Sequence, residues 1–194
     1  MADAEIADGF RLTTLIEIVE PSPFPLDLFR YVAFVRDPAA GAIATFEGTT
    51  RETFEGRRVV ELRYEAYVSM ATRRLSEVCA AARASWDLRR IAVAHRLGIV
   101  PVGEASVFVA VSAVHRDDAM EACRFIIDEI KASVPIWKKE VYADGEIWKE
   151  NKEFFERRPA LIEAEQDKRS CCSGSKIRIN GNDVLGTTAG KHGL

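Results

Sequence analysis

Between Glu104 and Val114 the chain reads EASVFVAVSAV, a nearly continuous apolar run of branched and small side chains. A strand of this composition has no face for water, so both of its faces must be covered by other elements. Glu104–Val114 is therefore the predicted central strand. Arg89–Leu97 reads as the strand before it, joined through the turn-forming stretch Gly98–Gly103. On that strand His95 alternates with Val93 and Ile91, the placement of a hydrogen-bonded histidine near the core. Arg96 beside it has no single reading.

A second constraint follows directly in the chain, at His115–Glu140 (HRDDAMEACRFIIDEIKASVPIWKKE). Asp117 and Asp118 suit the first turn of a helix, where the macrodipole and unpaired N–H groups favour negative charge. Ala119, Cys123, Ile126, Ile130 and Val134 then recur at three- and four-residue spacing and form one apolar face. Pro135 disfavours the α conformation at Val134 and ends the helix; Ile136–Tyr142 alternates and is rich in aromatic and branched residues, as a strand is. His115 and Arg116 fall at the helix start, Lys131 in its last turn, and Lys138 and Lys139 on the strand. If the strand folds back along the helix, these cations converge.

Taken singly, each lysine is an ordinary solvated cation, and Lys131 lies three residues after Asp128, a common surface helix pair. Their clustering matters because the whole chain is acidic, with formal charge -3 from 30 acidic and 27 basic residues. A local cationic cluster on such a chain points to a specific anionic ligand rather than a general polyanion. The same charge balance, with aromatics at 9% and no stacking motif, argues against a nucleic-acid-binding module.

The remaining elements are read in order. Leu12–Val19 is a strand, and Pro25–Val35 an amphipathic helix with Leu26, Phe29, Tyr31 and Val32 among its apolar positions. Gly41–Thr49 and Val59–Tyr67 are strands, and Thr50–Arg58, containing Gly56, reads as a long hairpin loop between them. Arg51 stands at the base of that loop, directly after Gly48, Thr49 and Thr50, small residues that let a ligand approach the backbone. Ser69 is the expected N-cap of a helix that buries Ala71, Leu75, Val78, Ala82 and Trp86 and turns Arg73, Arg74 and Glu77 to water. Trp148–Glu165 is read as a last helix, with Lys149 and Lys152 in its first turns. The order of hairpins and helices predicts an α+β domain over residues 1–168, followed by a flexible polar tail over 169–194.

The acidic N-terminus MADAEIADGF has no apolar signal region, and no apolar run approaches the length of a membrane span, so a cytosolic protein with no membrane partner is expected. Cys79 and Cys123 fall on apolar helical faces, as small core residues do. Cys171 and Cys172 are adjacent in the tail. Neither a CxxC pair nor a Cys/His zinc spacing occurs, so no metal or redox centre is expected.

Four segments, GAIATFEGTTR, ELRYEAYVSMA, IAVAHRLGIVPVGEASVFVAVSAVHR and IKASVPIWKKE, resemble the large, catalytic subunit of the molybdopterin synthase family. The likeness spans roughly Gly41–Phe155. It implies an α/β hammerhead-like domain with an additional small antiparallel β-sheet, assembled as a homodimer of large subunits within a heterotetramer. It implies sulfur transfer to cyclic pyranopterin monophosphate, which becomes the molybdopterin dithiolene. The sulfur would come from a thiocarboxylate on the C-terminal glycine of a small ubiquitin-like carrier subunit, and no further cofactor is implied. Residue by residue, the family's pocket maps onto Arg51 in GTTR, His115 and Arg116 in VHR, Lys131 in IKASVP and Lys138 in PIWKKE. A further basic position, supplied by the neighbouring large subunit, maps onto Lys152, where a lysine offers a point charge in place of arginine's planar fork. The resemblance implies Lys131 and Lys138 as the catalytic pair, with Lys131 beside the carrier's C-terminus and Lys138 beside the substrate.

Overall fold

The structure, a computed structural model, describes residues 13–149. Over that span the elements are β1 (Thr14–Val19), α1 (Leu28–Val35), β2 (Ala42–Thr49), β3 (Thr53–Phe54), β4 (Arg57–Ala66), α2 (Val68–Ser85), β5 (Leu88–Arg96), β6 (Gly98–Pro101), β7 (Ala105–Ala113), α3 (Arg116–Ser133), β8 (Ile136–Tyr142) and β9 (Gly145–Lys149). They form two sheets. The first has four strands in the order β1-β5-β7-β2, and the second carries β3-β4-β8-β9 with β6 on the other side of β4. The domain is α+β, as the order of its elements predicts. Among the described residues no helix is long and apolar enough to cross a membrane.

β7 is central, and all nine of its residues are buried. Its pleat sends Val107, Val109, Val111 and Ala113 to one side, where they join Leu75, Cys79, Ile126 and Ile130 of α2 and α3. Phe108 and Ala110 point the other way and pack with Tyr31 and Val35 of α1. One run of small and branched side chains thus serves two cores, each fully buried Val or Ile contributing about 1.5–3 kcal/mol. β7 pairs antiparallel with β2 on one side and with β5 on the other, and β1 closes the sheet parallel to β5.

α3 ends as its sequence requires. Val134 leaves the helical region (φ -83, ψ 128), its N–H still bonded to the Ile130 carbonyl, and Pro135 leads into β8.

Several local expectations fail for identifiable reasons. β2 and β4 do not form a hairpin with each other, because β2 is claimed by β7 and β4 by β6 and β8. The tight turn in that region is shorter: Thr53–Phe54 pairs with Arg57–Arg58 around Glu55 and Gly56, both at positive φ. Gly98–Gly103 is not only a connection, since Gly98–Pro101 forms β6 against Glu61–Tyr64. The N-cap of α2 is Tyr67, not Ser69, and it makes no side-chain cap hydrogen bond. In α1 Asp27 caps the helix by accepting from the Arg30 N–H at 3.2 Å, and Phe29 lies 72% exposed outside the buried stripe. Trp148 and Lys149 belong to β9, pairing with Lys139 and Lys138, where a helix start was expected. Lys152, the rest of that expected helix, the 168/169 boundary and Cys171–Cys172 lie outside the described residues.

Candidate active site

Where the two sheets and the last turn of α3 meet there is a cavity of about 500 Å³. Arg51, Lys131 and Lys138, which are far apart in sequence, all line it. Each is positioned by a different local device.

Lys138 belongs to the inward-facing alternation Ile136, Lys138, Glu140, Tyr142 of β8, and its cross-strand partner is Tyr64 of β4. Its ammonium lies 3.0 Å from a Glu140 carboxylate oxygen. Glu140 is only 3% exposed, and its other oxygen accepts a short hydrogen bond from the Tyr142 hydroxyl. Burial and the neighbouring carboxylate push the Tyr142 phenol up to about 12, so it remains a donor near neutral pH. The Arg57 guanidinium covers its ring at 3.8 Å from the centroid. Lys138 is thus fixed by a carboxylate that is itself fixed, which lowers the entropy lost when it engages a ligand.

Lys131 is placed by the end of α3. Arg74 of α2 donates to the Ser133 hydroxyl at 3.0 Å, and that hydroxyl donates to the Glu129 carbonyl at 2.8 Å, tying the last turn of α3 to its neighbour. Asp128 pairs with Arg124 at 3.7 Å and not with Lys131. The Lys131 ammonium instead lies 5.8 Å from the centre of the Phe46 ring. Arg51 follows Thr50, whose backbone bonds with Glu104 and Gly103 hold the end of β2, and its guanidinium sits 5.2 Å from the Phe54 ring centre. Among the described residues neither Arg51 nor Lys131 has a carboxylate partner. Two cations held on aromatic rings beside a partly enclosed space create a field suited to an anionic ligand.

His115 and Arg116 do not join this group within the chain. They are exposed at the start of α3, Arg116 only loosely paired with Asp117 at 3.6 Å. At 1.5 Å per residue they stand about 22 Å along the helix from Lys131.

The cavity also holds groups that the sequence reading did not assign to it. Glu140, Tyr64 and Ser106 line it, and so does His95, anticipated only as a core residue. A signal for Glu140 was present: in Lys138-x-Glu140-x-Tyr142 the period of two puts all three polar side chains on one face, opposite the outward Trp137. Arg96 proves structural. It is 2% exposed, pairs with Glu104, and donates to the Ser22 carbonyl at 2.9 Å, fastening the segment before α1 to the end of β5.

A family model described as "MoaE protein" matches residues 22–133. The molybdopterin synthase catalytic subunit of Oryza sativa subsp. indica is 64% identical over 175 residues, covering 86% of this chain and 90% of that protein. The Arabidopsis thaliana protein of the same name is 59% identical over 175 residues, covering 85% and 88%. Among solved structures, molybdopterin synthase from Staphylococcus aureus superposes with a TM-score of 0.62 at 33% identity, covering 72% of this chain and 96% of that one. A Helicobacter pylori complex of subunits 1 and 2 of molybdopterin-converting factor shares the fold, with a TM-score of 0.57 at 22% identity over 72% and 91% of the two chains.

Proposed function

This chain belongs to the MoaE protein family, and from that premise we propose that the cavity between its two sheets is where a phosphorylated pterin receives sulfur. The protein acts as the catalytic subunit of a molybdopterin synthase, a sulfurtransferase of molybdenum cofactor biosynthesis. The observation that carries the assignment of the site is the meeting of Arg51, Lys131 and Lys138 in one cavity, with Arg51 and Lys131 free of carboxylate partners among the described residues.

The substrate is cyclic pyranopterin monophosphate. The donor is a small ubiquitin-like subunit whose C-terminal glycine carries a thiocarboxylate, and its tail enters the cavity. When the thiocarboxylate sulfur attacks the pterin side chain, oxygen leaves that side chain and needs a proton. Water then attacks the glycyl carbonyl, its bond to sulfur breaks, and the carrier leaves as a carboxylate with the sulfur kept on the pterin; the oxyanion formed on the way needs a cation beside it. Lys131, mounted on Phe46 at the end of α3, serves the carrier's end; Lys138, held by Glu140, serves the pterin. Arg51 supplies a planar fork for the substrate's anionic group.

His115, Arg116 and Lys152 act from a second copy of the chain. The distance along α3 removes His115 and Arg116 from their own cavity, so they complete a site only across a dimer of large subunits. Mixing a Lys131→Ala chain with a Lys152→Ala chain should then restore activity, because one of the mixed sites has both lysines. The direct test is to incubate the purified chain with thiocarboxylated small subunit and cyclic pyranopterin monophosphate. Dithiolene product is expected, and its absence would sink the reading.

A further inference from the structure

The ion pair that holds Lys138 does not end at Glu140. It continues outward through Tyr142 and Arg57 to a tight turn at the surface, and that turn carries none of the reacting groups.

β3 and β4 meet around Glu55 and Gly56, with Thr53 opposite Arg58 and Phe54 opposite Arg57. Both turn residues have positive φ, 50° at Glu55 and 77° at Gly56. Two such residues give a hairpin turn the twist of its strands, but a glutamate in that region is costly, so its surroundings must hold the chain there. The Val59 N–H donates to the Glu52 carbonyl at 2.8 Å and the Ala143 N–H to the Arg58 carbonyl at 3.3 Å. The Arg57 guanidinium donates to the Asp144 carboxylate at 2.7 Å. These last two contacts tie the hairpin to the turn between β8 and β9.

Taken alone, the Arg57–Asp144 pair is a surface contact of the kind that contributes little to stability. The contact of Arg57 with Tyr142 is different. Tyr142 is buried, and the guanidinium lies 3.8 Å from its ring centre. A cation over the face of a phenol favours negative charge on its oxygen, which strengthens the hydroxyl as a donor. Burial and Glu140 push this phenol up to about 12, and Arg57 acts in the opposite direction. The hydroxyl donates to one oxygen of Glu140, and the other oxygen lies 3.0 Å from the Lys138 ammonium. Four side chains therefore form one line from the exposed turn to the cavity, and each link is charge-assisted.

We propose that Arg57 is a positioning residue of the sulfur-transfer reaction, acting through Tyr142 and Glu140 to fix the Lys138 ammonium against the substrate. This rests on the reading of Lys138 as a group that serves the pterin, and adds what holds it from outside the cavity. Without Arg57 the Tyr142 ring loses its cover, Glu140 loses a firm donor, and the carboxylate can turn and take the ammonium with it. A displacement of about 1 Å at a reacting group costs rate more than affinity.

The test measures kcat and KM for cyclic pyranopterin monophosphate, with thiocarboxylated small subunit as donor, and follows folding by thermal melting. Arg57→Ala should lower kcat about tenfold or more and leave KM within about threefold. Tyr142→Phe keeps the ring beneath Arg57 and removes the hydroxyl; it should lower kcat by a similar factor, and the double variant should fall no more than about twofold further, because both changes break the same line. Added to Lys138→Ala, either change should alter the residual kcat by less than about twofold. Parental kcat in a folded Arg57→Ala chain overturns the inference and leaves the pterin-site reading standing. An equal fall in the parent and Lys138→Ala backgrounds also overturns it, since Arg57 would then support the fold and not Lys138. A parent chain that makes no dithiolene product overturns both readings. If Arg57→Ala does not fold, Tyr142→Phe in the two backgrounds decides.

Discussion

Strand β7, in the middle of the four-stranded sheet, buries every residue it has, and nearly all of them are apolar. Strand β8, between β4 and β9 in the other sheet, turns Ile136, Lys138, Glu140 and Tyr142 inward and leaves Trp137 45% exposed. The difference is one of what each inner face can tolerate. Around β7 two layers of helix exclude water, so any charge would be stranded. Around β8 one face borders a cavity, so an ammonium can remain charged provided that a carboxylate is buried with it. The first sheet supplies rigidity and the second supplies chemistry, and α3 joins them by packing Ile126 and Ile130 into one while presenting Lys131 to the other.

If that division holds, damage to the two sheets should be read by different measurements. The largest effect expected is on turnover: Lys131→Ala and Lys138→Ala should each lower kcat by about 100- to 1,000-fold, the scale for losing a group that stabilises developing charge, with little change in thermal stability for Lys131→Ala and some loss for Lys138→Ala, which leaves the buried Glu140 carboxylate without its cation. Steady-state sulfur transfer and a melting curve on the same preparation would check this, and near-normal turnover in both would break the comparison. Next comes Ile126→Ala, buried with no exposure between α3 and β7. It should cost about 2–5 kcal/mol in denaturant unfolding while the folded fraction keeps its turnover.

His95 stands where the two regimes meet, and its effect is on pH dependence. The folded protein holds it neutral down to about 4, whereas the unfolded chain takes up the proton near 6.5. Its contribution to stability is therefore complete above pH 6.5 and is lost as the pH falls toward 4, by about 3 kcal/mol. Urea unfolding between pH 7 and 4.5 should show a shallower acid slope for His95→Phe than for the parent; parallel slopes would place the proton elsewhere. The smallest effect belongs to Phe29→Ala. This side chain lies outside the α1 stripe at 72% exposure, and its loss should change stability by no more than about 0.5 kcal/mol. A larger loss would mean that α1 is covered by something on its outer side.

The rigid half of the molecule was the more legible in sequence. Glu104–Val114 and the α3–Pro135–β8 unit are written in local periodicity, and the structure reproduces both within a residue or two. What periodicity does not contain is which strand pairs with which. β2 and β4 look like the arms of a hairpin, and only the competition from β7 for β2 separates them. Trp148 fits an aromatic helix start as well as a strand, and its pairing opposite Lys139 is a non-local fact. The site divides in the same way. Arg51, Lys131 and Lys138 were found through their clustering and the family likeness, and they do meet in one cavity. His115 and Arg116 carry the same signature but sit at the far end of α3, because sequence spacing reports neighbourhood along the chain and not the direction of a long helix. Tyr64 and Ser106 escaped notice because each is an unremarkable strand residue until the two sheets are brought together.

The parallel register of Thr14–Val19 against Ile91–Arg96 bears on how the chain is made. During synthesis β1 leaves the ribosome well before the strand it pairs with, β5, exists, and at ordinary elongation rates the interval lasts several seconds. Throughout that time Leu15, Ile16 and Ile18 have no sheet to enter, although α1 can already form close behind them. Closing this pair last, over a long loop, makes it a high-contact-order step and a natural candidate for the slow phase of refolding. In the cell the same delay makes the emerging N-terminal strand the segment most in need of a chaperone's cover.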